Sequence, residues 1–343
     1  MSTNTPAINR RIAQWLLLCC VLVFVMVVLG GVTRLTGSGL SMVDWRPVTG
    51  FLPPMSDEAW QRTFEMYQET PEFQEINSHM DVHDFKGIFW LEYLHRLLGR
   101  IIGLVFAIPF AYFLIAGYIR KREWPKYFLM FVLGGLQGVL GWYMVKSGLV
   151  DNPHVSQYRL TAHLVAAFLI YAYMLWVALS LLYPQPGGEH HRWYGRSVLL
   201  GCLVSLTIIS GGFVAGLRAG EIYNTFPMMG SGFIPPGLLG LEPAWRNLFD
   251  NATTVQFNHR LLAITTFVII VIYWLRARGA ALPPRARTAA NALLLTAVLQ
   301  VALGISTLLL SVPIVLAASH QAVAMLLFTI VLYMAHSLRK IPI

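Results

Sequence analysis

Charge is scarce in this chain. Of its 343 residues 12% are charged and 56% are hydrophobic. Soluble domains carry about 25% charged residues, so a water-soluble fold is excluded, and a disordered or fibrous chain with it. Cysteine is scarcer still. Cys19, Cys20 and Cys202 all fall within apolar runs, which leaves no external disulfide framework and no CxxC metal site. Their expected role is packing. Short segments of alternating hydrophobicity, the mark of a membrane β-barrel, are missing too. What is plentiful is long apolar sequence, and this points to an all-α polytopic membrane protein.

Runs of roughly 20 residues, enough to cross a bilayer, sit near 13–33, 88–118, 127–146, 158–183, 197–217, 256–275, 289–310 and 314–336. Eight transmembrane helices follow, with seven as the competing count. The weakest boundary is at 88–118, where Glu92, His95, Arg96 and Arg100 occupy the first turns. The last two spans are joined by a very short turn at Ser311–Val312–Pro313.

The few charges are unevenly placed. The N-terminus, the loops near 119–126, 184–196 and 275–288, and the C-terminus hold 14 Lys/Arg and two acids, Glu123 and Glu189. The remainder holds 11 Lys/Arg and 14 acids, so one side carries +12 and the other −3. The positive-inside rule then places both termini in the cytoplasm and the acidic loops outside. The basic clusters are short and abut spans, so they report topology and not nucleic-acid binding. The first run follows Arg10 and Arg11 but is too long for a signal-peptide core and lacks a small-residue cleavage pattern. It reads as a permanent helix. The short head before it does not suit a mitochondrial transit peptide, which favours a bacterial inner (plasma) membrane.

The chain repeats itself. EYLHRLLGR at 92–100 returns as QFNHRLLAI at 256–264, LGGLQGVLG at 133–141 as TAVLQVALG at 296–304, and TAHLVAAFL at 161–169 as ASHQAVAML at 318–326. A glycine pair precedes each set, Gly30–Gly31 and Gly211–Gly212, and a Pro-Pro loop follows each pair, at Pro53–Pro54 and Pro235–Pro236. Steady offsets of this kind mark an internal repeat. With four spans per half, both halves run the same way. The expected architecture is two parallel-repeat four-helix bundles about a pseudo-two-fold axis along the membrane normal. The N-terminal half is 1–183, the cytoplasmic linker 184–195 and the C-terminal half 196–343. Of the two long outer loops, 34–87 and 218–255, the first holds nine acids and four bases. In it Ser56 can cap a short helix that opens on Asp57 and Glu58, with Trp60, Phe64 and Tyr67 at helical spacing. That helix covers something beneath it, as a folded lid or facing a substrate.

Ten histidines are present. His79, His83, His154, His190, His191 and His336 read as solvated surface residues. His95, His163, His259 and His320 differ. Each lies just inside the outer end of a span, on the second or fourth helix of its half, so all four share one depth. Ionisable groups in the hydrocarbon layer are functional by default. Two symmetry-related pairs on facing helices suit bis-imidazole ligation of haem iron. A zinc site, which wants further ligands, and plain interhelical hydrogen bonding rank behind it. Arg96 and Arg260 follow two of these histidines and could pair with haem propionates or snorkel to the interface. Arg34, Arg100 and Arg159 lie near the same surface with both readings open. Glu92 stands one turn before His95, where the other half has Gln256. The carboxylate could stabilise a developing cation or move protons, or it could pair with Arg96 or Arg100. Gln137 and Gln300, with Gly134, Gly135, Gly138, Gly141 and Gly304 around them, read as helix-packing positions that could also leave room for a flat macrocycle.

EYLHRLLGR, the stretch GGVTRLTGSGLSMVDWRPVTG at 30–50 and NHRLLA at 258–263 resemble the heme A synthase family over nearly the whole chain. The resemblance implies that heme O, made by a farnesyltransferase (heme O synthase), is converted to heme A for terminal oxidases. One ring methyl is hydroxylated twice, and loss of water leaves a formyl group. It implies a resident haem b on His259 and His320, and heme O on His95 and His163 with Glu92 near the reacting edge. The implied partners are that farnesyltransferase, the cytochrome oxidase assembly machinery and an electron donor that the sequence does not name. A homo-oligomer is compatible with it. The haem sites would face the periplasmic side. Cysteine pairs that some members carry in the outer loops are missing, as in the cysteine-free branch of the family. The competing readings are a quinol-linked di-haem electron-transfer subunit that transforms nothing, and a haem transporter or chaperone with the symmetric halves as gates. Against the transporter, no pair of spans is interrupted mid-membrane.

Overall fold

The computed structural model describes residues 6–44, 50–149, 153–184 and 189–340. Residues 45–49 of the 30–50 motif and 185–188 of the linker lie outside them. The described chain is helical and contains no strand. Its helices are α1 (Pro6–Leu35), α2 (Asp57–Gln68), α3 (Val82–Ile115), α4 (Trp124–Lys146), α5 (Gln157–Leu182), α6 (Tyr194–Gly216), α7 (Ala252–Arg278), α8 (Pro284–Leu309) and α9 (Ile314–Leu338). All but α2 are long and apolar enough to cross a membrane, which makes eight among the described residues. The turn at 311–313 separates α8 from α9 as expected. Ser311 and Val312 reverse the chain there at left-handed φ values of 59° and 61°. The β-branched side chain of Val312 makes that conformation unusual.

The blurred boundary before Glu92 has a physical cause. The helix starts earlier, at Val82, where Asp81 Oδ1 accepts the N–H groups of His83 (2.8 Å) and Asp84 (2.9 Å). The Asp84 N–H is the main reason that the Asp81 carboxyl is held below the usual carboxylate range. α3 has 34 residues, about 51 Å of helix at about 1.5 Å per residue, against about 30 Å of hydrocarbon. Its excess length forms a platform for α2. Ser56 caps α2 through the Ala59 N–H (3.2 Å). Trp60, Phe64 and Tyr67 on its buried face then pack on Phe85, Ile88, Phe89 and Tyr93 of α3. Tyr67 stacks on Phe85 with ring centroids 5.1 Å apart. Its hydroxyl donates to Glu72 (3.1 Å) and accepts from Asn77 (2.7 Å), and burial pushes its pKa up. Phe64→Ala should cost roughly 3 kcal/mol locally. The expected result is faster amide hydrogen exchange over 57–68, with α6–α9 unchanged.

Two compact units emerge, Leu18–Ile170 and Met1–Leu17 with Tyr171–Ile343. In the second, α6 packs on α7 and α9, and α8 packs on the same two helices. These four helices close a ring in which α7 and α9 are diagonal, so residues on their inner faces look at each other across the bundle. In the first unit α3 packs on α4. Side-chain contacts bring α1 against α3 and α4 against α5. Two expectations need correction. Cys19 and Cys20 are buried, but Cys202 is exposed on α6 and contributes no packing. His336 is not a surface residue: it is fully buried, because the neighbouring ends of α5 and α9 enclose it.

Candidate functional site: four histidines, each against a glycine

Each singled-out histidine meets a glycine on the preceding membrane-spanning helix of its half. A Cβ built on Gly30 of α1 would lie 2.9 Å from His95 Cε1 on α3, and one on Gly141 of α4 would lie 3.0 Å from His163 Cε1 on α5. The second half repeats the contact. Gly211 of α6 faces His259 of α7 at 3.2 Å, and Gly304 of α8 faces His320 of α9 at 2.9 Å. Any side chain at these glycines would occupy space that the imidazole uses. The residues themselves are only half-buried. Each ring is therefore held along one edge while part of it stays accessible.

The hydrogen bonding separates one ring from the others. His259 Nδ1 lies 2.7 Å from Ser210 Oγ. Ser210 gives its own proton to the Thr207 carbonyl (2.7 Å), so it accepts from His259. Nδ1 then carries the hydrogen and Nε2 keeps its lone pair, the arrangement of a metal-ready imidazole. The Nδ1 atoms of His95, His163 and His320 are buried with no hydrogen-bond partner. At the position matching Ser210 the first half has Leu29, which offers none. Gln137 donates to the His163 carbonyl (2.8 Å), a helix-joining bond as expected, while Gln300 Nε2 lies 3.4 Å from His320 Nε2. The glycines divide. Gly141 and Gly304 touch histidine rings, whereas a Cβ added at Gly134, Gly135 or Gly138 would meet nothing within 4 Å, so these three make no close helix approach.

Glu92 is buried, and its oxygens are occupied. Oε2 accepts from Ser41 Oγ (2.7 Å) and the Met42 N–H (2.8 Å), and Oε1 is ion-paired with Arg96. Arg96 also donates to the carbonyls of Met42 (2.8 Å) and Asp44 (3.4 Å). The pair thus fastens the segment after α1 onto α3 beside His95. Gln256 and Arg260 perform the same task after α6. Gln256 Nε2 donates to the Tyr223 carbonyl (3.1 Å), and Arg260 donates to the carbonyls of Tyr223 (2.7 Å), Thr225 (2.8 Å) and Met228 (3.3 Å). Acid in one half and amide in the other follow what the loop presents: N–H and O–H donors to Glu92, a carbonyl to Gln256. Arg260 Nε is buried with no partner. Arg159 is bound locally, to the Tyr143 carbonyl (2.8 Å) and over the Tyr143 ring (3.8 Å).

Residues 13–332 match the family described as Cytochrome oxidase assembly protein (COX15-CtaA). The chain belongs to this family. It is 55% identical to "Heme A synthase" of Nitrosospira multiformis over 97% of this chain and 95% of that one. It is 51% identical to "Heme A synthase" of Nitrosomonas eutropha over 96% and 94%. It is 45% identical to "Heme A synthase COX15" of Homo sapiens over 100% and 86%. For a member of the cytochrome oxidase assembly protein family, the structure adds residues that sequence reading did not single out. Ser210 could have been noticed only as a hydroxyl beside a glycine pair. The opposition of Gly30 to His95 and of Gly211 to His259 left a trace in the sequence, the repeated GG, but not its meaning.

Proposed function

We infer that this chain converts heme O to heme A as an oxidoreductase of cytochrome oxidase assembly. Support comes from the near-full-length identity to heme A synthases. The observation that carries the site is the fourfold packing of a histidine edge on a glycine. Orphaned buried Nδ1 atoms and accessible, half-buried rings fit two flat macrocycles better than a compact four-ligand metal ion.

His259 and His320, on diagonal helices, would hold a resident haem b, which supplies one-electron chemistry when bound. Ser210 fixes the tautomer of His259, and the free Nε–H of Arg260 suits an acidic edge group. His95 and His163 would receive the substrate heme O, with Glu92 a buried carboxylate one helical turn before His95. The ring methyl of heme O is oxidised twice by hydroxylation and then loses water, leaving the formyl group of heme A. Without a counterpart of Ser210, His95 is less firmly oriented, as suits a ligand that must take up substrate and release product. The matched contacts also favour the parallel-repeat reading of the two halves. The multi-pass chain would lie in a bacterial inner membrane, with termini inside and haem sites toward the periplasm. Heme O synthase would deliver its substrate.

The test is a haem extract of the purified protein, expressed with a heme O-producing farnesyltransferase and separated by reversed-phase chromatography. Haem b with heme A or its hydroxylated precursor is expected. Haem b alone, with unconverted heme O in the membranes, would favour the di-haem electron-transfer subunit. His320→Ala should remove the haem b signal. Ser210→Ala should keep the fold but weaken resident-haem retention by roughly tenfold, the range typical of outer-shell partners. Haem-to-protein ratio after dilution and washing measures this, and an unchanged ratio would deny Ser210 its role.

A further inference from the structure

The corrected histidine, His336, marks a cluster that heme A synthesis does not use. It joins the C-terminal end of α5, the N-terminal end of α8 and the C-terminal end of α9, all within one compact unit. Arg285, in the first turn of α8, lies with its guanidinium carbon 3.4 Å over the Tyr183 ring and 4.8 Å over the Tyr333 ring. Its Nε donates to the Tyr333 hydroxyl (3.0 Å), but Nη2 is buried with no partner. Arg339 lies 5.6 Å over Trp176, and its Nε is likewise buried and unpartnered. Trp176 packs edge-on against the His336 ring at 5.1 Å. His336 Nε2 reaches Ser180 Oγ at 3.4 Å. Burial lowers the pKa of Arg339; Tyr194 opposes this and Arg285 adds to it.

Two guanidiniums therefore lie among aromatic rings in one cluster at these helix ends, each with a buried N–H that has no partner. Among the described residues no carboxylate is ion-paired with either of them. Ring faces stabilise the charge but leave the N–H donors unmade, and a buried donor without a partner is costly. α8 compounds this, since its first turn carries no acid while its dipole is positive at that end. Snorkelling to water would avoid the cost, yet these donors are turned inward. The cluster lies at helix ends, where lipid headgroups meet the protein.

We propose that the cluster of Arg285 and Arg339 opens to bind the phosphate of an anionic membrane lipid. Arg285 Nη2–H and Arg339 Nε–H would be the donors to the phosphate oxygens. The proposal is independent of the haem chemistry.

The test uses the full-length chain in neutral detergent, with native mass spectrometry to count adducts. Dioleoylphosphatidylglycerol, dioleoylphosphatidylcholine and inorganic phosphate are titrated separately. The expected result is a phosphatidylglycerol adduct with at least tenfold preference over phosphatidylcholine. Arg285→Gln with Arg339→Gln should weaken it tenfold or more. Arg287→Gln, an exposed arginine in the same turn of α8 as Arg285, should leave it unchanged. If the double variant does not fold, Arg285→Lys, which keeps the charge and loses the planar donor set, should still weaken binding severalfold. Equal affinity for both lipids, equal loss from Arg287→Gln, or binding of inorganic phosphate alone would each overturn the proposal.

Discussion

Gly304→Ala is expected to empty the haem site proposed at the C-terminal histidine pair by tenfold or more while leaving the helices assembled. The added Cβ would stand 2.9 Å from His320 Cε1, with Nδ1 at 3.4 Å and Nε2 at 3.6 Å. The closest atom, Cε1, lies near the extended Cβ–Cγ axis, so spinning the ring about that bond does not clear the contact in place. Either the ring leaves its position or α8 withdraws from α9. Helix withdrawal opens voids along a packed interface, which destabilises by a few kcal/mol. Moving one ring is cheaper, and a ligand misplaced by a few tenths of an ångström no longer matches its opposite partner. Gly138→Ala is the control, because nothing lies within 4 Å of that Cβ and alanine favours the helix by about 1 kcal/mol. Haem-to-protein ratio and the reduced absorption spectrum of both purified variants decide the matter. A Gly304→Ala protein with full haem and an unshifted spectrum would show that the ring has slack, and that glycine packing fixes none of the four rings.

What the sequence carried and what it did not can be traced to particular residues. The eight spans were legible because apolar length is a property of sequence alone. The capped helix at Ser56 was legible because a cap, an acidic first turn and an aromatic stripe are all local. The four histidines stood out through repetition. His336 was misjudged because its position near a span end says nothing about which neighbours close over it; burial there depends on Trp176 and Ser180, far away in sequence. Cys202 was misjudged for the converse reason: an apolar run does not tell which face of α6 meets protein. The Glu92/Gln256 difference was visible, but its structural half was not. The groups that choose between acid and amide are loop backbone, a donor N–H at Met42 and an acceptor carbonyl at Tyr223, and no side-chain pattern encodes them.

That difference yields the second large effect. Glu92→Gln is expected to abolish heme A formation while the signal of the haem proposed at the C-terminal pair remains at wild-type level. The carboxylate meets three donors, namely Ser41 Oγ–H, the Met42 N–H and Arg96. A glutamine retains one acceptor oxygen and turns an NH₂ group toward at least one of those donors. Leaving a buried donor unmade costs about 1–3 kcal/mol, and Arg96 also loses its counter-charge. The segment at 41–44 should therefore loosen from α3, even though the change is nearly isosteric. Gln256 escapes this penalty because its loop partner is a carbonyl. Glu92→Asp separates holding the loop from chemistry: it preserves charge and acceptors but shortens the reach by one methylene. Hydrogen exchange at 38–44 and heme A yield should be read together for Gln, Asp and Ala at this position. Loss of yield that tracks loosening across all three would make Glu92 a positioning residue that acts through the loop. Loss of yield in a variant whose loop stays protected would place its charge in the reaction itself. Full yield from Glu92→Gln would leave the carboxylate with neither task.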